Sequence, residues 1–228
     1  MKILTDFFRL FYPELCVNCD HQLTHNEHLL CTFCRHDLPV INYSNYKDNI
    51  VSNIFYGRVT IEKANSLLYF RKESITKKLI HQLKYKGNEE IGSFIGDWWG
   101  EILKKNNEFS EVHVIIPVPL HPKKLKQRGY NQVTKFGERL SFHLKKPFIE
   151  DILLRTSTSK TQTFKARFER FNNIDTKFQV KDTSTYKNKH ILLIDDVITT
   201  GATLESCAKE LQKTHGIKIS ILTMAYTE

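Results

Sequence analysis

No apolar run in this 228-residue chain approaches the ~20 residues that a helix needs to cross a bilayer. The longest, Val112 to Leu120 and Ile191 to Ile194, stop well short, which argues against any transmembrane segment. The first twelve residues mix Phe7, Phe8, Leu10 and Phe11 with Lys2, Asp6 and Arg9, and lack the unbroken apolar core and small-residue cleavage site of a secretory leader. They predict a short amphipathic helix, whose apolar face either docks on the body of the protein or makes a peripheral membrane or partner contact. Cysteine is scarce as well. There are five, an odd number, and four of them form two CxxC pairs, so an extracellular disulfide framework explains them poorly. The cytoplasm is the expected compartment, including the inner face of the cell membrane if the amino-terminal helix touches lipid. Internal repeats, low-complexity tracts, a GxGxxG fingerprint and the Gly-Lys-[Ser/Thr] of a Walker loop are all missing.

What remains is a soluble globular composition, 40% hydrophobic and 26% charged, of a length that suits one main domain with a small appendage. A boundary is expected between Leu38 and Asn53, where Pro, Asn, Ser and Tyr follow the second CxxC without helical periodicity. This divides the chain into an amino-terminal knuckle, residues 1–50, and a larger domain, 51–228. Within the larger part, Ala64 to Arg71 reads as a strand, and Ile75, Leu79, Ile80 and Leu83 recur at helical spacing before Gly87. Ile91, Phe94, Ile95, Trp98, Trp99, Ile102 and Leu103 mark the clearest amphipathic helix, with both tryptophans on its buried stripe. Val112 to Val118 has the continuous apolar character of a doubly covered strand. A helix over 131–144, a strand at 152–155, a helix carrying Phe164, Phe168 and Phe171, a strand at 190–194, a helix over 203–214 and a last strand at 217–225 complete the reading. Alternating strands and helices predict an α/β fold with a mainly parallel sheet flanked by helices.

Ile191 to Thr203, ILLIDDVITTGAT, is the most informative segment. A buried strand leads to two carboxylates, Asp195 and Asp196, and then to Thr199, Thr200, Gly201, Ala202 and Thr203 at a helix start. Ligands of open α/β sheets bind at the carboxyl ends of strands. The loop can aim backbone N–H groups and hydroxyls at one phosphate, aided by the helix dipole, while the carboxylates accept hydrogen bonds from vicinal hydroxyls. An acidic turn that merely caps a helix is the alternative.

The formal charge is +9, and the excess is local: residues 117–181 hold fifteen Lys or Arg against five Asp or Glu, a net +10. Such a field attracts polyphosphates and nucleic acids, or is simply a solvated basic surface. Lys123, Lys124, Lys126, Arg128, Lys165, Arg167 and Arg170 are the candidates for contacting single-stranded DNA if they face one groove.

The ILLIDDVITTGAT segment resembles the signature of type I phosphoribosyltransferases, which bind phosphoribosyl pyrophosphate with magnesium. PVPLHPKKLKQRGYNQ (117–132), the spacing of Gln162, Arg170, Asn173 and Phe178, LKYKG (83–87) and the amino-terminal cysteines are similar to ComF proteins, named for bacterial competence. The resemblance implies that Asp195 and Asp196 meet the ribose hydroxyls and that Thr199 to Thr203 hold the 5′-phosphate. It further implies that Val118, Pro119 and Leu120 form the loop under the pyrophosphate, with Arg128 and Lys84 as its cations. At Lys124 many relatives carry Arg, and a lysine there lacks the bidentate fork.

Cys16, Cys19, Cys31 and Cys34 offer four thiolates in two tight pairs, the arrangement of a structural zinc site. His21, His25, His28 and His36 lie near enough to compete as ligands, and unmetallated thiols or redox disulfides are the other readings. Cys207 falls at an apolar helix position and reads as core. The function expected is that of a ComF-type phosphoribosyl pyrophosphate-binding protein assisting DNA uptake. A catalytically active phosphoribosyltransferase, or an adaptor that uses the fold as scaffold, are the alternatives.

Overall fold

The computed structural model describes residues 11–42, 44–156 and 177–228. The expected amino-terminal helix and the helix carrying Phe164, Phe168 and Phe171 therefore lie outside the described residues, as do Gln162, Asn173, Lys165, Arg167 and Arg170.

Two short helices precede the sheet: α1, Thr32–His36, and α2, Ile50–Asn53. The second was not foreseen from the sequence, because four residues are too few to show a period. Local capping makes it instead: the Asn49 side chain accepts the N–H groups of Val51 and Ser52, and Ser52 Oγ accepts the Asn49 N–H in return.

Four parallel strands then form the central sheet in the order β1 (Lys63–Phe70), β6 (Lys218–Thr227), β5 (His190–Ile198) and β2 (Val114–Pro117). The helices between them are α3 (Ile75–Tyr85), α4 (Glu90–Asn106), α5 (Pro122–Arg128), α6 (Thr134–Leu144) and α7 (Ala202–Leu211). Along β5 the side chains alternate as a doubly covered strand requires. Leu192 and Ile194 pack with Leu79, Ile95 and Phe136 of α3, α4 and α6, whereas Ile191 and Leu193 pack with Leu204, Cys207 and Leu211 of α7. Cys207 is fully buried and burial pushes its thiol well above the ordinary range, in keeping with a core residue.

Two features depart from the sequence reading. The strand at Leu153–Thr156 (β3) does not join the parallel sheet but pairs antiparallel with Lys177–Val180 (β4). And β5 continues through both carboxylates to Ile198, paired with β6 as far as Ile198 opposite Tyr226.

Helices α4 and α6 pack closely because α4 presents glycines to its neighbour. A Cβ on Gly96 would lie 2.8 Å from the Arg139 Cβ and 2.9 Å from the Phe136 carbonyl oxygen. Trp99 on this helix is 2% exposed, as the stripe predicts, but Trp98 is only partly covered and carries the Arg35 guanidinium 5.8 Å from its ring. The knuckle is not a separate body. Cys16, Leu23, Leu29 and Leu30 share one apolar cluster with Leu79, Leu83 and Ile95.

Candidate functional site

The carboxyl ends of β5 and β2 converge on one edge of the sheet. After β5 the chain turns through Thr199, Thr200 and Gly201 into α7, and Gly201 takes φ +73° at the cap position. The first intrahelical bond runs from the Glu205 N–H to the Gly201 carbonyl (2.8 Å), so the N–H groups of Thr203 and Leu204 have no acceptor within the helix. Thr199, Thr200, Ala202 and Thr203 are exposed, and with Asp195 the loop encloses a hollow of about 70 Å³. Arg58 fastens this loop from behind: its guanidinium donates to the carbonyls of Thr200 (2.7 Å) and Ile54 (3.1 Å) and pairs with Glu205. Sequence reasoning missed Arg58, because its partner lies 142 residues away and no motif contains it.

Because β5 runs through the acidic pair, the two carboxylates face opposite sides of the sheet rather than leaving its end together. Asp196 is 5% exposed and turns toward α3 and α6. Its Oδ2 meets the Lys84 ammonium at 2.9 Å and accepts from Gln132 Nε2 at 2.7 Å. Gln132 in turn accepts from the Arg128 guanidinium at 2.7 Å. The sequence motifs contributed Lys84, Arg128 and Asp196, and the structure brings all three into one chain of contacts. Gln132 is the addition. It lay in the quoted motif without an assigned role, and only the fold reveals it as the link.

Asp195 faces the α7 side and the phosphate-sized hollow. Burial, with the neighbouring Asp196 charge second, pushes its carboxyl up to about 8, against the opposing pull of the Asp196 N–H, Lys84 and Arg155. Asp195 therefore keeps its proton to higher pH than an ordinary aspartate.

Val118, Pro119 and Leu120 follow β2 at the same edge. Val118 is buried, donates its N–H to the Ile194 carbonyl (2.9 Å) and accepts from Asn131 Nδ2 (3.2 Å), while Pro119 and Leu120 are half-buried. The following α5, absent from the sequence reading, starts at Pro122 with His121 Nδ1 accepting the Lys123 N–H (3.2 Å). Lys123, Lys124 and Lys126 are all exposed on it. Arg128 is not part of that row, since it turns inward to Gln132 and stacks over the Tyr85 ring at 5.2 Å.

In the amino-terminal knuckle the sulfur atoms of Cys16, Cys19, Cys31 and Cys34 lie within 4.8 Å of one another, and none is in a disulfide. Cys19 and Cys31 sulfurs are 3.7 Å apart, close to the about 3.8 Å edge of a tetrahedral zinc–thiolate site with 2.3 Å bonds. No histidine joins the cluster among the described residues. Burial opposes ionisation of Cys16, yet the backbone N–H groups of Cys31, Cys19 and Asn18 bring it down to about 6; burial pushes Cys34 up to about 12. Four convergent sulfurs fit a structural zinc with no open position.

Residues 135–227 match the family described as phosphoribosyl transferase domain. This carboxyl-terminal stretch is similar to a phosphoribosyl transferase domain. It is also 32% identical over 111 residues to competence protein F of Haemophilus influenzae, covering 48% of each chain. The competence protein ComFC of Bacillus subtilis is 30% identical over 155 residues, 65% of this chain and 58% of that one. The DNA utilization protein YhgH of Escherichia coli O157:H7 is 28% identical over 152 residues, 65% of this chain and 66% of its own. The match thus spans about half to two thirds of the length of these curated relatives. The ComF resemblance read from the motifs is borne out, and so is the type I phosphoribosyltransferase fold with its amino-terminal cysteine cluster.

Within the matched stretch, Gly201 combines two demands that no other residue type meets. Its left-handed φ costs a side chain roughly 1–2 kcal/mol, and a Cβ there would lie 2.7 Å from Ile54 Cγ2. Gly201→Ala should therefore lower unfolding free energy by at least about 1–2 kcal/mol in denaturant titration; an unchanged midpoint and slope would contradict this geometry.

Proposed function

We propose that the protein binds phosphoribosyl pyrophosphate at the carboxyl edge of β5 and serves DNA uptake. One observation carries the reading. At the end of β5 a hollow of about 70 Å³ walled by the Thr199–Thr203 loop lies on one side of the strand, and a Lys84–Asp196–Gln132–Arg128 chain of contacts on the other. The 5′-phosphate would take the N–H groups at the start of α7, and Asp195 and Asp196 the ribose hydroxyls. Arg128 and Lys84 would meet the pyrophosphate beside Val118, Pro119 and Leu120. Magnesium travelling with the pyrophosphate would neutralise part of its charge. Lys84, whose ammonium lies 2.9 Å from Asp196, is placed to share its charge between that carboxylate and an anionic group beside it. Calorimetry with phosphoribosyl pyrophosphate tests the reading.

The role in DNA uptake rests on what the relatives are called, competence proteins and a DNA utilization protein. The exposed lysine row of α5 supports direct contact with single-stranded DNA through phosphates, with little sequence preference. Changing Lys123, Lys124 and Lys126 to Ala should reduce the slope of log affinity against log salt by about 2, at about 0.7 per phosphate on a single strand. Filter binding across a salt series measures it, and an unaltered slope would place any DNA contact elsewhere.

Catalysis is the second reading, favoured by the domain match. Displacement of pyrophosphate at C1 of the ribose would pass through an oxocarbenium-like state, which a carboxylate meeting the ribose, as proposed for Asp196, would stabilise. Release of pyrophosphate on addition of a nucleophile separates this reading from binding alone.

A further inference from the structure

A groove of about 500 Å³ runs between α1 of the knuckle and the outward face of α4, and shares no residue with the phosphate hollow. Its floor is aromatic. Phe94 and Trp98, one turn apart on α4, are half-buried and meet edge to face with ring centres 6.0 Å apart. The amphipathic stripe predicts a covered Trp98, so part of this ring stays open where the sequence expects core. The Arg35 guanidinium of α1 lies over both rings, 5.6 Å from the centre of Phe94 and 5.8 Å from that of Trp98. The walls are acidic. Glu90, Asp97 and Glu101 follow one another along α4, and Glu27 lines the groove from the knuckle. Glu27 accepts the N–H groups of Thr24 (2.9 Å) and Thr32 (2.6 Å), which bring its carboxyl down to about 2 and keep it an anion. Asp97 holds Arg139 at 2.5 Å and His143 at 2.8 Å. Glu90 has His28 at 3.5 Å, and among the described residues no ion pair reaches Glu101. Two carboxylates with unused acceptor capacity thus flank a pair of rings that already carries a guanidinium.

We propose that this groove docks an extended, arginine-bearing segment of a partner protein. The inference goes beyond the phosphoribosyl reading and does not rest on it. Charge complementarity selects the occupant. Four carboxylates and a single arginine line the groove, in a chain whose formal charge is +9. Such a local reversal of sign attracts cationic segments and repels the phosphates of nucleic acid, which excludes single-stranded DNA here. Arginine is favoured over lysine because Arg35 shows these rings taking a guanidinium, a planar group that stacks on an aromatic face and forks onto a carboxylate. Length favours a peptide over a single small cation. Glu90 and Glu101 stand eleven residues apart on α4, about 16 Å at ~1.5 Å per residue, which is the reach of about five extended residues. Knuckle and domain each contribute one wall, which gives the cysteine site a consequence for binding as well as for stability.

A labelled peptide of alternating arginine and serine, its lysine counterpart and spermidine serve as probes of the zinc-replete full chain. Fluorescence anisotropy at low ionic strength should show the arginine peptide binding about threefold or more tightly than the lysine peptide, the margin of a guanidinium stacked on partly exposed rings. Glu90→Gln with Glu101→Gln should weaken the arginine peptide about fivefold, as the loss of two surface ion pairs implies. Both residues are exposed and the change is nearly isosteric, so this variant keeps the fold. Trp98→Leu retains apolar bulk and should abolish the preference for arginine, with an unchanged far-ultraviolet circular dichroism spectrum as the check on folding. Sedimentation of the unlabelled chain completes the test. Absence of arginine-peptide binding, or binding that these substitutions leave unaltered, would overturn the proposal. Displacement of the peptide by an equal concentration of spermidine would overturn it too, by making the groove a general polycation site. So would self-association that the Glu90→Gln, Glu101→Gln variant loses, since the groove would then belong to a second copy of this chain.

Discussion

Replacing Cys16 or Cys34 by Ser should drop the zinc content of purified protein from about one ion per chain to well below one, and destabilise residues 11–42. Removal of one of four thiolates breaks the tetrahedral set, and in small zinc domains the bound ion contributes on the order of 10 kcal/mol to folding. The loss here should be smaller than that figure. Leu23, Leu29 and Leu30 pack into the same cluster as Leu79 and Ile95, so part of the segment is held by the domain beneath it. Limited proteolysis should show cleavage in the knuckle before the parallel sheet, and elemental analysis gives the stoichiometry. Parent protein that carries no zinc, or a serine variant that keeps it, would refute the site.

The second large effect concerns the acidic pair. Asn at both Asp195 and Asp196 should weaken phosphoribosyl pyrophosphate binding about tenfold or more, chiefly through Asp196, since hydrogen bonds to charged groups are worth about 1.5–3 kcal/mol against about 1 for neutral ones. The two positions also differ in a way that pH exposes. Asp195 has a folded-state value of about 8, above its ordinary 3.8, so the folded state holds its proton more tightly than the unfolded chain does. Its contribution to stability is full below pH 4 and is lost as pH rises through about 8. Asp195→Asn should therefore gain relative stability between pH 5 and pH 8.5 in denaturant titrations, whereas Asp196→Asn leaves Lys84 without its anionic partner. Parallel pH profiles for the parent and Asp195→Asn would show that the carboxyl is not perturbed.

Much of the fold could be read from periodicity. The helix over 90–106 and the buried strand of 190–194 carry patterns long and regular enough to identify, because one face or both faces meet a core. Where the reading failed, the physical cause was local or distant. The helix Ile50–Asn53 depends on one Asn cap, and α5 on a Pro at its first turn beneath a polar, lysine-rich face with no apolar stripe. Strand β3 pairs with β4 across a 20-residue stretch, and no property of its four residues states that the partner is antiparallel. At the site, residue types were legible but directions were not. The motif placed Asp195 and Asp196 side by side, and only the continuation of β5 to Ile198 sends them to opposite faces. Arg58 and Gln132 act through contacts to a backbone carbonyl and to another side chain, and such roles leave no spacing in the sequence.

Calorimetric titration of the zinc-replete protein with phosphoribosyl pyrophosphate, with and without magnesium, tests the central claim most directly. The account predicts one site per chain, tighter with magnesium, weakened about tenfold or more in the Asp195→Asn, Asp196→Asn double variant. No binding under either condition, or binding that the double variant leaves intact, would contradict it.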